Sequence, residues 1–481
     1  MSAIRRSKHR PAGIGGRPGR AFGRVSARLR QGISRFRTFA LVLALPFVFA
    51  ATAQATLPIE HWVTSNGARV YFVRADTIPM LDVRIDFDAG SRLDPPARVG
   101  LASFTAGMLA RGIEGADEAQ ISERFARLGA IDGAGAGSDR AHVSLRTLVD
   151  DGRADAAIDL LARIVARPVF PESVLERERQ RVIQAIREAQ TKPETIAQQT
   201  FDAMIYGTHP YGAHATPETV QAIERADLVA FHRAHYTSAD AVVSMIGAID
   251  RGRAEAIAER LVRDLPAAGP RPADAAGRPV DLHGLPPVEP LARAAERRIA
   301  HPATQSHILI GQPGIARGDP DFFPLLVGNY VLGGGGFVSR LYNEVREKRG
   351  LAYSVYSSFS PLLQPGPFVI GLQTAREQTD VALDVVRTVL DRFLAEGPTE
   401  EELAAARANL AGGFALRIDS NAKILGHLAL IGFYRLPLDY LDHWTERIDA
   451  VTLAQVRAAF ARVLDAQRMA TVIVGAGAPP P

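Results

Sequence analysis

A chain of 481 residues, 47% of them hydrophobic, is too long for one ordinary domain and too apolar to be disordered. The absence of cysteine excludes disulfides, thiolate metal ligands and a cysteine nucleophile, although it does not fix the compartment. The net charge of +4 says little about partners: residues 1–37 carry eleven Lys or Arg and no acid, and without them the charge becomes −7. Nucleic-acid binding thereby loses its only support.

The basic stretch ends at Arg37 and is followed by an apolar run, Phe39 to Ala51, and by Ala53-Gln54-Ala55. A charged region, a short apolar region and a small-x-small site predict a secretory signal over 1–55, cleaved after Ala55, and an exported, periplasmic protein. The run is 13 residues long and contains Pro46, whereas a spanning helix needs about 20, so no stable transmembrane segment is expected after processing. The length of the basic stretch leaves the true start codon open, and also whether the signal is kept as an anchor.

Leu265 to Arg293 holds seven prolines and cannot sustain a helix or a central strand. It reads as a linker (265–293) between an N-terminal lobe (56–264) and a C-terminal lobe (294–481). The lobes repeat one plan. Ile223 to Gly247 and Ile448 to Gly475 are each an amphipathic helix, a break, and a β-branched strand ending in Gly. Leu81 to Ala89 and Ser306 to Gln312 are strands that lead into apolar helices, Val99 to Ala110 and Phe322 to Leu332. A repeat this long indicates a duplicated domain rather than a solenoid. The predicted fold is α+β, two homologous lobes of mixed sheets flanked by helices, with about four similar modules, two to a lobe.

The densest pattern is Leu332 to Phe359, LGGGGFVSRLYNEVREKRGLAYSVYSSF. Gly333, Gly334, Gly335 and Gly336 predict a loop free of side-chain obstruction. Ser339 is placed to cap a helix carrying Leu341 and Val345, Glu344 and Lys348 to pair on its outer face, and Gly350 to end it. Leu351, Tyr353 and Val355 then alternate as a strand. Arg346 and Tyr353 fall on the same side of the turn, where a guanidinium and a phenol can donate to a peptide carbonyl or to the oxyanion formed from it. The plainer reading is that Arg346 pairs with an acid and Tyr353 is half-buried core.

The stretch SRLYNEVREKRGLAYSVYS resembles the second lobe of the pitrilysin/insulinase family of zinc peptidases, the inverzincins. The similarity runs from about Leu57 to Gly475 and takes in HPYG at His209 to Gly212 and AGSRLDPP at Ala89 to Pro96. It implies that Arg346 and Tyr353 orient substrate and stabilise the transition state. It also implies an H-x-x-E-H helix in the first lobe and a later glutamate ligand. Those positions depart from the family's pattern: Ser103 and Gly107 stand for the histidines, Ala106 for the glutamate base, and Gln184 and Ala185 where the later carboxylate is expected. Ser, Ala and Gly do not replace imidazole and carboxylate donors.

Other sets do not fill the gap. His209 and His214 are five apart across Pro210 and Gly212, and His232 and His235 have no acid on their face. Ser103 and His142 show no triad spacing, there is no G-x-S-x-G, and the glycine run lacks the Lys-Ser/Thr of a phosphate loop. The resemblance therefore implies a non-catalytic, substrate-orienting subunit of a heterodimeric zinc peptidase acting on unfolded or short peptides. No cofactor is expected in this chain; zinc is expected in a paralogous partner with an intact H-x-x-E-H. The alternative is a peptide-binding or structural assembly protein with no peptidase partner.

Overall fold

The computed structural model describes residues 58–149, 152–267 and 285–475. The predicted signal, its cleavage point after Ala55 and most of the proline-rich linker lie outside the described residues. Among the described residues no helix is long and apolar enough to cross a membrane.

The first lobe begins with β1 (Glu60–Val63), β2 (Arg69–Arg74) and β3 (Met80–Phe87), then α1 (Leu101–Met108). A small ribbon, β4 (Gly112–Ile113) with β5 (Ala116–Asp117), leads into α2 (Glu118–Leu128), which starts on a capping box of Asp117 and Gln120. The hairpin β6 (Ile131–Ala136) and β7 (Ala141–Leu148) is followed by α3 (Arg153–Ala166), α4 (Glu172–Ala189), α5 (Pro193–Tyr206), α6 (Pro217–Gln221) and α7 (Arg225–His235). The lobe closes with β8 (Val242–Gly247) and α8 (Arg251–Val262). Its sheet has the order β1-β2-β8-β3-β7-β6. Every residue of β8 is buried, as a central strand covered on both faces requires.

The second lobe comprises β9 (Ala295–Ala300), β10 (Gln305–Pro313), α9 (Phe322–Asn329), β11 (Ala352–Phe359), β12 (Pro367–Ala375), α10 (Thr379–Glu396), α11 (Glu400–Gly412), α12 (Asn421–Phe433), α13 (Trp444–Asp449), α14 (Leu453–Val463) and β13 (Ala470–Gly475). Its sheet runs β11-β12-β10-β13-β9. Putting β9 for β2, β13 for β8, β10 for β3, β12 for β7 and β11 for β6 reproduces the first sheet from β2 onward. The relative directions agree as well: β8 is parallel to β2 and β13 to β9, and every other neighbouring pair is antiparallel. The duplication predicted from the repeated helix-and-strand plan is thus present in the topology.

The lobes exchange helices. α5, from the first lobe, packs on β10 and β13 of the second sheet, and α12, from the second, packs on β8, β3 and β2 of the first. Phe201 of α5 shares a core with Leu309 and Val472. Leu425, Leu428 and Ile431 of α12 share one with Tyr71, Val242 and Ile246. Each approach needs a glycine. A Cβ on Gly432 would lie 2.8 Å from the Tyr71 ring, and one on Gly311 would lie 3.0 Å from the Phe201 ring. Arg69 and Arg140 of the first lobe donate to the carbonyls of Gly432 (2.7 Å) and Ala429 (2.9 Å), satisfying the C-terminal end of α12 with positive charge.

The expected four modules are corrected to two: among the described residues each lobe holds one large sheet. The helices serve to cover these two sheets, and both α5 and α12 do so across the lobe boundary.

Candidate functional site

The segment Ala89 to Pro96 delivers the chain into α1. The Asp94 carboxylate accepts from the backbone N–H groups of Gly100 (2.7 Å) and Ala102 (2.8 Å), doing for this helix what an N-cap side chain does. Leu101, Phe104 and Met108 face the core as expected, and Ala106 is buried with them. Ser103 and Gly107 are exposed side by side on the outer face, and Ala185 is exposed on α4. A Cβ at Gly107 would meet no atom within 4 Å, so there is room for a larger side chain. The donors are what is missing: a hydroxyl, a methyl and a hydrogen stand where a zinc site needs imidazole and carboxylate. Among the described residues no three His, Cys, Asp or Glu side chains gather to hold a metal ion. The described residues at these positions do not fit zinc.

Burial pushes the Asp94 carboxyl up to about 6, against backbone donors that favour its charged form. A carboxyl with a higher pKa folded than unfolded takes up a proton on folding. Its contribution to stability therefore grows as pH falls from about 6 toward the ordinary value near 4. Melting of the wild type and Asp94→Asn at a series of pH values is expected to show the wild type gaining on the variant across that window. A difference independent of pH would contradict this assignment.

Three of the four candidate histidines have other partners. His209 Nδ1 accepts from the Tyr211 N–H at 3.1 Å, His214 Nε2 lies 3.0 Å from Asp202, and His232 Nε2 lies 2.7 Å from the Val165 carbonyl.

In the second lobe Arg346 and Tyr353 do come together. The Arg346 guanidinium lies 4.8 Å from the Tyr353 ring centre and 4.9 Å from that of Tyr342, so it is held between two aromatic faces. The expected Glu344–Lys348 pair forms at 2.6 Å and Gly350 ends the helix with φ 62°. Arg349 also joins Glu344 at 2.6 Å, which leaves Arg346 as the basic residue of this helix with no carboxylate partner among the described residues. Phe337, 75% exposed, meets Tyr342 edge-on at 4.9 Å and extends the cluster.

Two expectations about this stretch are corrected. Simple alternation would bury Tyr353 with Leu351 and Val355, yet Tyr353 is 79% exposed while they are buried. A bulge between Ala352 and Val355, where β11 pairs with β12, turns the phenol outward. The helix predicted from Ser339 is a widened turn over Tyr342–Glu347, with the Lys348 N–H bonded to Asn343, five residues back. Ser339 nevertheless stands at its start, donating to Gly336 at 2.8 Å. Such π-type turns are rare and concentrate at functional sites.

The glycine run is packed rather than open. A Cβ on Gly333 would lie 2.5 Å from the Ser357 nitrogen, one on Gly334 2.6 Å from the Asn329 amide, and one on Gly335 2.6 Å from the Tyr330 carbonyl. Only Gly336, at φ 60°, meets nothing, and there the left-handed backbone is what calls for glycine. Gly333 lacks a side chain so that the chain can lie directly on β11, and Gly334 and Gly335 so that it can fold back against Asn329 and Tyr330 at the end of α9. Gly333→Ala is expected to cost about 2 kcal/mol in urea unfolding, with Gly336→Asn close to neutral because Asn tolerates this backbone. Equal effects at the two positions would contradict the distinction.

Residues 69–217 match the family model "Insulinase (Peptidase family M16)", and residues 222–410 match "Peptidase M16 inactive domain". A solved structure described as a peptidase M16 inactive domain from Pseudomonas fluorescens is 36% identical to this chain. That match covers 88% of this chain and 98% of that one, with a TM-score of 0.82. The chain belongs to the insulinase family, peptidase M16. An uncharacterized zinc protease of Mycobacterium leprae is 28% identical over 440 residues, 88% of this chain and 92% of that protein. The periplasmic protease PqqL of Escherichia coli shares the fold, with TM-score 0.73 at 16% identity; the match covers 87% of this chain and 45% of that one.

Two motifs that mark this M16 chain in sequence, AGSRLDPP and HPYG, converge on a residue the sequence reading missed. Asp139, in the β6–β7 turn and 2% exposed, accepts from the hydroxyls of Tyr211 (2.5 Å) and Tyr434 (2.8 Å) and from the Leu363 N–H (2.9 Å). Arg92, paired with Asp88, approaches the same carboxylate at 3.8 Å. A Cβ on Gly90 would strike the backbone of that turn, 2.5 Å from the Arg140 nitrogen. The legible signal was HPYG itself, whose tyrosine carries the contact.

Proposed function

We propose that this chain is the non-catalytic, substrate-orienting half of a two-chain zinc peptidase that acts on unfolded or short peptides in the cell envelope. The observation that carries the reading is the asymmetry between the two lobes. Arg346 is held between Tyr342 and Tyr353 with no carboxylate partner among the described residues, beside the edge strand β11, while α1 presents Ser103 and Gly107 where metal donors would be needed. A guanidinium fixed in this way is a donor ready for a carbonyl oxygen or for the negative charge that develops on it. Strand edges suit extended peptides, whose backbone groups they pair with. Catalytic metal then has to come from a partner, a paralogue of similar size with H-x-x-E-H in an early helix. Membership of a peptidase family and similarity to zinc proteases support the reaction class. Export is supported by the basic and apolar N-terminal pattern and by similarity to a protein described as periplasmic.

Affinity purification of the mature protein from its own cells, followed by mass spectrometry, tests the proposal. Expected is a stoichiometric partner of roughly this chain's own size bearing H-x-x-E-H. Recovery of the chain alone would overturn the divided-peptidase reading in favour of peptide binding without cleavage.

A further inference from the structure

We propose that Asp139 is a positioning residue that holds the Tyr353 strand in place from the opposite lobe and fixes the spacing between the free edges β6 and β11. The two edges occupy equivalent places in the duplicated sheets, each at the end of its strand order. Asp139 sits in the turn that joins β6 to β7, and Leu363 and Gln364 sit in the corresponding connection between β11 and β12. The carboxylate takes the Leu363 N–H, and the Tyr211 hydroxyl it binds accepts in turn from the Gln364 N–H at 3.2 Å. Tyr434, just beyond α12, supplies the other phenol. The two hairpin turns are therefore joined by one buried charge although 224 residues separate Asp139 from Leu363.

The chemistry makes this a firm joint. The carboxylate's three hydrogen bonds, with Arg92 nearby, satisfy it although it is buried. Burial and the Asp139 charge push both phenols well above their ordinary values, so they stay protonated as donors. The β6–β7 turn is also tied back toward α1. Its Gly137 and Ser138 carbonyls accept from the Ser91 and Arg92 N–H groups, two residues before Asp94 meets the start of that helix. Position in the second lobe is thereby read at β6 and α1 in the first.

Amide hydrogen exchange on the full chain tests this without peptide or partner, so its outcome is independent of the proposed function. Tyr434→Phe keeps the ring and removes one hydroxyl in the second lobe. It is expected to accelerate exchange about tenfold at residues 131–140 in the first lobe as well as at 352–366, the loss of one hydrogen bond to a charged group. Tyr211→Phe should do the same, and Asp139→Asn, if it folds, more strongly. Combining Tyr434→Phe with Asp139→Asn should add little to Asp139→Asn alone. Exchange that rises only beside each substitution, or effects that simply add, would overturn the proposal.

Discussion

In the reconstituted two-chain peptidase, Arg346→Ala is expected to lower kcat/KM about 100-fold, the usual cost of removing one donor from a developing oxyanion. The folded chain should hardly notice: Arg346 has no carboxylate partner among the described residues, and its ring contacts at the surface are worth about 0.5–1 kcal/mol. Arg346→Lys is expected not to rescue the rate, because an ammonium has neither the planar fork nor the stacking faces that Tyr342 and Tyr353 hold. Tyr353→Phe keeps the platform and removes the hydroxyl, so a loss of about tenfold, mostly in kcat, separates donation from stacking. Steady-state kinetics with the four proteins decides. An Arg346→Ala pair as fast as the wild type would remove this residue from the site.

The largest effect on stability is expected at Gly432. A side chain there meets Tyr71 and Val242 of the other lobe's sheet, so Gly432→Val has to displace α12 and should cost about 3 kcal/mol. Because α12 and α5 are exchanged, the loss is not confined to one lobe. The chain carries one tryptophan per lobe, Trp62 and Trp444, which report separately once the other is replaced by Phe. Urea unfolding followed at each should give coincident transitions in the wild type and coincident, equally shifted transitions in Gly432→Val. Two separated transitions in the wild type would show that the lobes are independent.

Much of this was legible in sequence because it rests on local pattern. The paired helix-and-strand plans survive as α7 with β8 and α14 with β13. The lost metal donors are readable one residue at a time, and Arg346 and Tyr353 are close in sequence, with one turn between them. What escaped depends on contacts between distant segments. Helical periodicity shows that α5 and α12 bury an apolar face, not that each buries it on the other lobe's sheet. The glycine run reads as an open loop until Ser357, Asn329 and Tyr330 are seen against it. The exposure of Tyr353 depends on a bulge that period-two alternation does not contain. Asp139 was invisible because its partners lie 72, 224 and 295 residues away and none of them alone looks unusual.

The most direct test of the central claim is metal content and peptide cleavage measured on the purified mature chain, alone and with its co-purified partner. The account predicts no stoichiometric zinc and no cleavage for the chain alone, and a melting temperature unchanged by a chelator. It predicts zinc-dependent cleavage once the partner is present. One zinc per chain, or chelator-sensitive cleavage without a partner, would contradict it.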